Sequence, residues 1–89
     1  MSREMSQEEK EAKFKEVFEK ARKGVLKYLD EKGGTLPMSE LHDYSTNKYF
    51  IQHQRFSQMM EGYVAEKLVD YDDMTQNTTI TQAGKAFIQ

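Results

Sequence analysis

The sequence predicts a small α+β domain, mostly helical, with elements in the order α-β-α-α-β-β-α and a long first helix. Apolar residues recur every three or four positions over two long stretches, which is the spacing of amphipathic helices. Short segments rich in β-branched residues alternate with a period of two, which is typical of strands. Glycine, proline and helix-capping residues fall between these segments, where the chain must turn.

Length and composition restrict the class of protein. The chain has 89 residues, enough for one domain with a modest core, and it contains no cysteine for disulfides or thiolate metal sites. No apolar run approaches the roughly 20 residues that cross a bilayer. Residues 1–23 are charged throughout and lack the apolar core of a signal peptide. We therefore expect a cytoplasmic protein with no membrane partner. The net charge of −2 argues against a strongly basic nucleic-acid-binding coat.

The first helix is predicted over residues 7–32. Ser6 and Glu9 have the spacing of a capping box, and a glycine pair follows the last helical residue. Gly24 lies inside this span and lowers helix propensity by about 1 kcal/mol relative to alanine. We therefore expect a kink or a break at Gly24.

That expected break divides the chain into a helical extension, residues 1–23, and a domain, residues 24–89. One face of the extension carries an apolar stripe consisting of Phe14, Val17, Phe18 and Ala21. Two interpretations remain open. The helix packs on its own domain, or the stripe is buried against a second copy in a homodimer, in keeping with the twofold symmetry of most oligomers.

The middle of the chain is predicted from its turn and capping residues. Residues 35–36 form a short edge strand that ends at Pro37, which has no N–H for a ladder hydrogen bond. Ser39 is the expected N-cap of the second helix. Residues 45–48 are polar and are interpreted as a turn. Residues 49–51 either finish the second helix or begin the third.

The third helix is predicted over residues 52–67. Its apolar face consists of Phe56, Met59, Met60, Tyr63 and Val64, at the i, i+3, i+4 spacing of one helical face. The opposite face is polar and rich in amides. This contrast makes the third helix the element best suited to contact a polar partner.

A β-hairpin and a short helix are predicted to complete the domain. Residues 68–72 and 78–80 are the strands, joined by a loop at 73–77. Thr81 is expected to cap a helix over residues 82–88 that buries Ala83 and Phe87. The predicted core consists of Leu29, Leu41, Phe56, Met60, Leu68, Ile80 and Phe87.

Three segments resemble the winged helix-turn-helix proteins found among small bacterial and archaeal regulators. They are residues 25–34 (VLKYLDEKGG), 60–69 (MEGYVAEKLV) and 80–88 (ITQAGKAFI). The resemblance implies that the third helix binds the DNA major groove, with the hairpin near the minor groove or the backbone. At the position before Leu68 these proteins commonly carry glycine, whereas this chain has Lys67. We therefore expect the third helix to end with a different geometry.

The surface around the third helix has the side chains that DNA binding requires. Residues 44–60 contain no acid. Gln and Asn pair with adenine and Arg with guanine, while Ser, Thr and Lys at a helix start hold phosphates. The candidate DNA-binding residues are Ser45, Thr46, Asn47, Lys48, Gln52, His53, Gln54, Arg55 and Gln58.

Other features favour a different partner. Asp70, Asp72 and Asp73 lie in the hairpin and would repel phosphate. The leading hypothesis is a dimeric regulator that binds double-stranded DNA. The alternative is a protein-interaction module on the same fold that does not bind DNA, and an ordinary solvated surface is the simplest interpretation of residues 44–60.

Catalytic and metal sites are not expected. His42 and His53 are eleven residues apart and have no second ligands at zinc spacing. Ser39, His42 and Asp43 are neighbours on one short helix, so they cannot adopt the geometry of a catalytic triad. The sequence therefore predicts neither an enzyme nor a cofactor.

Overall fold

The computed structural model describes the backbone of residues 7–89 and the side chains of residues 10–89, so the capping box predicted at Ser6 and Glu9 lies outside the described side chains. The predicted order of elements is confirmed, and the domain is α+β and mostly helical. The elements are α1 (Gln7–Glu31), β1 (Thr35–Pro37), α2 (Met38–Tyr49), α3 (His53–Ala65), β2 (Val69–Tyr71), β3 (Asn77–Ile80) and α4 (Gln82–Phe87).

The three strands form an antiparallel sheet in the order β1-β3-β2. Leu36 pairs with Thr78 and Asp70 pairs with Thr79, so β3 lies between the two edge strands. Pro37 is the last residue of an edge strand, where its missing N–H removes no central ladder bond. The β2–β3 hairpin extends from the end of α3.

The expected break at Gly24 is wrong. Helix α1 continues through this position to Glu31. A Cβ atom at residue 24 would lie 1.9 Å from the Tyr49 hydroxyl oxygen and 2.7 Å from its Cζ atom. Glycine at position 24 therefore allows α1 to pack closely against the end of α2. It does not break the helix.

Arg22 fixes the orientation of α1 against the end of α3. Its guanidinium forms an ion pair with Glu66 and lies 5.4 Å from the ring centroid of Phe87 in α4. The buried Tyr63 hydroxyl donates a hydrogen bond to the Arg22 carbonyl oxygen (2.5 Å). Further along, Arg55 at the other end of α3 lies over Phe14. The stretch of α1 from Phe14 to Arg22 therefore runs in the same direction as α3, with Phe14 beside the start of α3 and Arg22 beside its end.

The core is formed by one face of each helix and the inner face of the sheet. Six of the seven predicted core residues are buried, while Phe87 is only partly buried at the edge of the core. The prediction that Ala83 is buried is wrong, and Gly84 takes its place. A Cβ atom on Gly84 would lie 2.2 Å from the Leu68 carbonyl oxygen, so only glycine fits where α4 crosses this backbone.

Helix α2 is longer than predicted at both ends. It begins at Met38 after Pro37 and has no side-chain cap, so the prediction that Ser39 is the N-cap is wrong. Residues 45–48 are helical rather than a turn, because α2 continues to Tyr49. Within this stretch Ser45 is buried, and its hydroxyl donates to the His42 carbonyl oxygen (2.8 Å). The turn comes later, at Phe50, which adopts a left-handed conformation (φ 57°).

The expected change of geometry at the end of α3 is also wrong. Lys67 adopts the left-handed conformation (φ 61°) that glycine favours. The Leu68 N–H donates to the Tyr63 carbonyl oxygen (2.8 Å), and the Lys67 N–H donates to that of Val64 (3.1 Å). This pair of bonds is a Schellman motif. Lysine therefore occupies a glycine position without altering the path of the chain.

Candidate nucleic-acid interface

The face of α3 opposite the core is exposed and polar. It consists of Gln54, Gln58, Glu61 and Ala65, which we call the α3 outer face. Its first two turns carry amides, and the acid Glu61 lies in the third. The amides can form paired hydrogen bonds with base edges.

At the start of α3 the N-cap side chain does not occupy the backbone N–H groups. Gln52, at the N-cap, is extended, and its side chain makes no capping hydrogen bond. The first backbone N–H groups of the helix therefore have no partner within it. No acid lies in the first turn. Such a helix start attracts anions through its N–H groups and the positive end of the helix dipole.

Arg55 lies on the flank of α3 that faces α1. Its guanidinium donates to the Gln58 Oε1 atom (3.1 Å) and lies 4.4 Å from the ring centroid of Phe14. Phe14 in turn stacks on Phe18, with 5.5 Å between the ring centroids. Phe14 of the N-terminal extension therefore contacts Arg55, which the sequence predicts to recognise a base.

The four candidate residues of α2 have a different environment from the one expected. Ser45 is fully buried, so it is removed from the candidate surface. The Thr46 hydroxyl donates to the Ile51 carbonyl oxygen (3.0 Å) and holds the turn between α2 and α3. Asn47 and Lys48 are exposed. All four belong to the C-terminal half of α2, where the helix dipole repels anions, so their assignment to a helix start is wrong.

The hairpin has exposed acidic residues along its length and an uncharged residue at its tip. Asp70, Asp72 and Asp73 are exposed, and Met74 at the tip is 94% exposed. The Asp72 carboxylate accepts a hydrogen bond from the Met74 N–H (2.9 Å), which lowers the pKa of Asp72. This carboxylate is therefore ionised at neutral pH, and the hairpin is unfavourable for contact with phosphate.

Two apolar features escaped the sequence analysis. A groove between α3 and the hairpin is lined by Met38, Met60, Val64 and Tyr71, and we call it the α3–hairpin groove. Phe50 is 85% exposed although its backbone is in the left-handed region, which is uncommon for a bulky residue. An alternating or helical pattern cannot reveal either feature, because each depends on how separate elements meet.

The apolar stripe of α1 is partly used within its own chain. Ala21 is fully buried in the core, and Phe18 packs against the core. Phe14 is half-buried beside Arg55, whereas Val17 is 40% exposed. Of the four residues predicted at a dimer interface, Phe14 and Val17 therefore keep surface for a second copy.

The fold brings together the two histidines that the sequence separates. The His53 Nδ1 atom lies 3.3 Å from the His42 Nε2 atom, across the space between α2 and α3. The His42 ring meets Phe56 edge-on, with 5.0 Å between the ring centroids. Spacing along the chain gave no signal for this pair because the residues belong to different helices.

Comparison with known proteins leaves the family open: no protein-family model, curated protein or solved structure matches the chain. Among the helices described for residues 7–89, none has both the length and the apolar character needed to cross a membrane.

Proposed function

We propose that the protein is a winged-helix protein that binds double-stranded DNA and regulates transcription, with α3 in the major groove. The observation that carries this proposal is the start of α3, where backbone N–H groups without a side-chain cap, exposed amides and Arg55 occur together with no acid in the first turn. Phosphate binds at such a helix start, while Gln54 and Gln58 face the base edges.

Arg55 has two roles in this proposal. The contact with Phe14 limits the freedom of its side chain before binding, which reduces the entropy lost when a base is recognised. The hydrogen bond to Gln58, which lies one turn further along α3, holds the two side chains next to each other. When Arg55 binds a guanine, we expect Arg55→Ala to weaken specific binding by about 1–3 kcal/mol.

A salt titration tests DNA binding directly. Binding to random duplex should weaken steeply as salt rises, with a log–log slope of about −0.9 per phosphate contact. Lys48 is exposed near the end of α2, so a phosphate contact there would depend on its side-chain charge and not on a helix start. Lys48→Ala should therefore weaken binding to all sequences alike and flatten that slope. Lys85→Ala removes the same charge from an exposed site on α4 and serves as the matched control. Salt-independent binding, or full binding by both Arg55→Ala and Lys48→Ala, would exclude this surface.

We further propose that the protein forms a homodimer through the exposed part of the α1 stripe. Val17 is exposed and Phe14 is half-buried, so a second copy of α1 has apolar surface to cover. In a DNA-binding dimer, two copies of α3 would lie about one DNA turn, roughly 34 Å, apart.

Sedimentation at tens of micromolar tests the dimer. Replacing both Phe14 and Phe18 by Ser should give a monomer, although Phe18 also supports the core. Val17→Glu separates these effects, because it places a charge at an exposed site and leaves the core intact. Lys20→Glu is the control on an exposed position of the same helix. A monomer mass for the wild-type protein would refute the dimer.

A second candidate function is a protein-interaction module that does not bind DNA. It is favoured by the acidic hairpin, the α3–hairpin groove and the exposed Phe50. Exposed aromatic residues often serve as anchors in protein interfaces. If this is the function, Phe50→Gly should weaken partner binding and raise stability, since glycine relieves the left-handed conformation.

A further inference from the structure

We propose that His42 and His53 form a binding site for a divalent transition metal ion, with Zn²⁺ as the expected occupant. The two residues come from α2 and from the first position of α3. Their facing nitrogen atoms lie 3.3 Å apart. This inference does not depend on DNA binding.

The separation of the nitrogens is the first argument. A tetrahedral zinc ion with Zn–N bonds of about 2.0–2.1 Å holds two ligand nitrogens about 3.3–3.4 Å apart. The observed 3.3 Å therefore matches two imidazoles on one ion without movement of either helix. The rings are tilted by 57°. Without metal, the same nitrogens form a hydrogen bond in which one donates and the other accepts.

The surroundings of His42 are the second argument. Its other ring nitrogen, Nδ1, lies 3.9 Å from the Asp43 Oδ1 atom. This distance is too long for a hydrogen bond, but the negative charge of the carboxylate favours a proton on Nδ1, which leaves Nε2 to bind a metal. The contact with Phe56 holds the ring in place.

The remaining coordination positions are open. No group of three or more His, Asp or Glu side chains that could hold a metal converges among the residues that the structure describes. The pair borders a surface hollow that is also lined by Ser39, Ser57 and Gln76. Two protein ligands then leave positions for water or for an external ligand. Imidazole ligands favour zinc, copper and nickel over magnesium and calcium.

A bound ion would join α2 to the first turn of α3. The ion binds the folded protein because the two rings meet only when the helices pack, so its binding raises the free energy of unfolding. The ion would also place positive charge beside the start of α3. It would not alter the contact between Arg55 and Phe14.

Zinc titration of the whole chain tests the site. Wild-type protein should bind one Zn²⁺ per chain, shift the imidazole NMR signals of both histidines, and melt at higher temperature as zinc rises. His53→Gln should lower zinc affinity by about tenfold or more, the scale of loss for even outer partners of a metal ligand. His53 is exposed at the helix start, so this variant should fold; His42→Gln should give the same loss.

The controls separate this site from other metal binding. Gln52→Ala changes an exposed neighbour and should leave zinc affinity unchanged. Mg²⁺ at the same concentrations should shift neither histidine signal. Zinc binding that is equally tight in wild type and His53→Gln, as expected of the hairpin carboxylates, would overturn the proposal. So would the absence of zinc-dependent shifts in the wild-type histidines.

Discussion

Replacing Gly24 by alanine tests whether packing against Tyr49 determines the residue at this position. In an unobstructed helix this change stabilises by about 1 kcal/mol, because alanine has the higher helix propensity. Here the new Cβ atom would meet the Tyr49 hydroxyl oxygen at 1.9 Å and Cζ at 2.7 Å, so the ring must move. The change therefore sets helix propensity against the packing of one aromatic ring.

The cost of moving the ring follows from its contacts. The half-buried Tyr49 meets Tyr44 edge-on, with 6.1 Å between the ring centroids. Such an aromatic pair contributes about 0.5–1.5 kcal/mol, and the burial of a large side chain contributes about 1.5–3 kcal/mol when complete. Loss of much of this contact exceeds the gain in propensity. We expect Gly24→Ala to destabilise the protein by about 1–2 kcal/mol.

A double-mutant cycle measured by urea denaturation separates the two effects. In a Tyr49→Ala background the obstruction is absent, so Gly24→Ala should stabilise by about 1 kcal/mol. The sign of the effect should therefore reverse between the two backgrounds, with a coupling energy of about 2–3 kcal/mol, within the range for residues in contact. Equal effects of Gly24→Ala in both backgrounds would refute the packing argument, as would stabilisation of the wild-type chain.

Three further predictions concern the ends of elements. Lys67→Gly should raise the free energy of unfolding, measured by urea denaturation, by about 1 kcal/mol, because glycine adopts the left-handed conformation without strain. Lys67→Ala is the control and should not raise the free energy of unfolding. Gly84→Ala should destabilise by more than about 2 kcal/mol, since the Leu68 backbone cannot yield as a side chain can; an unchanged thermal midpoint would contradict this. The pKa of Asp72 is lowered by the Met74 N–H, so this bond contributes to stability above the ordinary Asp range and is lost as pH falls through the lowered pKa. An NMR titration should find the Asp72 carboxyl group titrating below the usual value of about 3.9, and titration at or above that value would count against the bond.

Local chemistry made much of the candidate surface predictable. The amide-rich face of α3 follows from helical periodicity, and its exposed residues Gln54 and Gln58 are found on that face. The assignment of residues 45–48 to a helix start failed because polar residues that favour a turn also occur within helices, and here α2 continues to Tyr49 with Ser45 buried. DNA binding, the winged-helix interpretation and the dimer stay predictions.

The sequence by itself determined the order of the elements and most of the core. Periods of 3.6 and 2 residues act through neighbouring positions, so they can be recognised without knowledge of the fold. Leu29, Leu41 and Phe56 were assigned to the core on this basis and are buried.

Only the tertiary structure decided which distant residues meet. Gly24 faces Tyr49, Arg55 lies over Phe14, and His53 faces His42. The members of each pair belong to different helices, so their contact depends on how the helices pack and on their relative rotation. No periodicity within one helix encodes that rotation, because it is set by ridges and grooves on both surfaces. For this reason the close approach at Gly24 and the histidine pair became visible only in the folded chain.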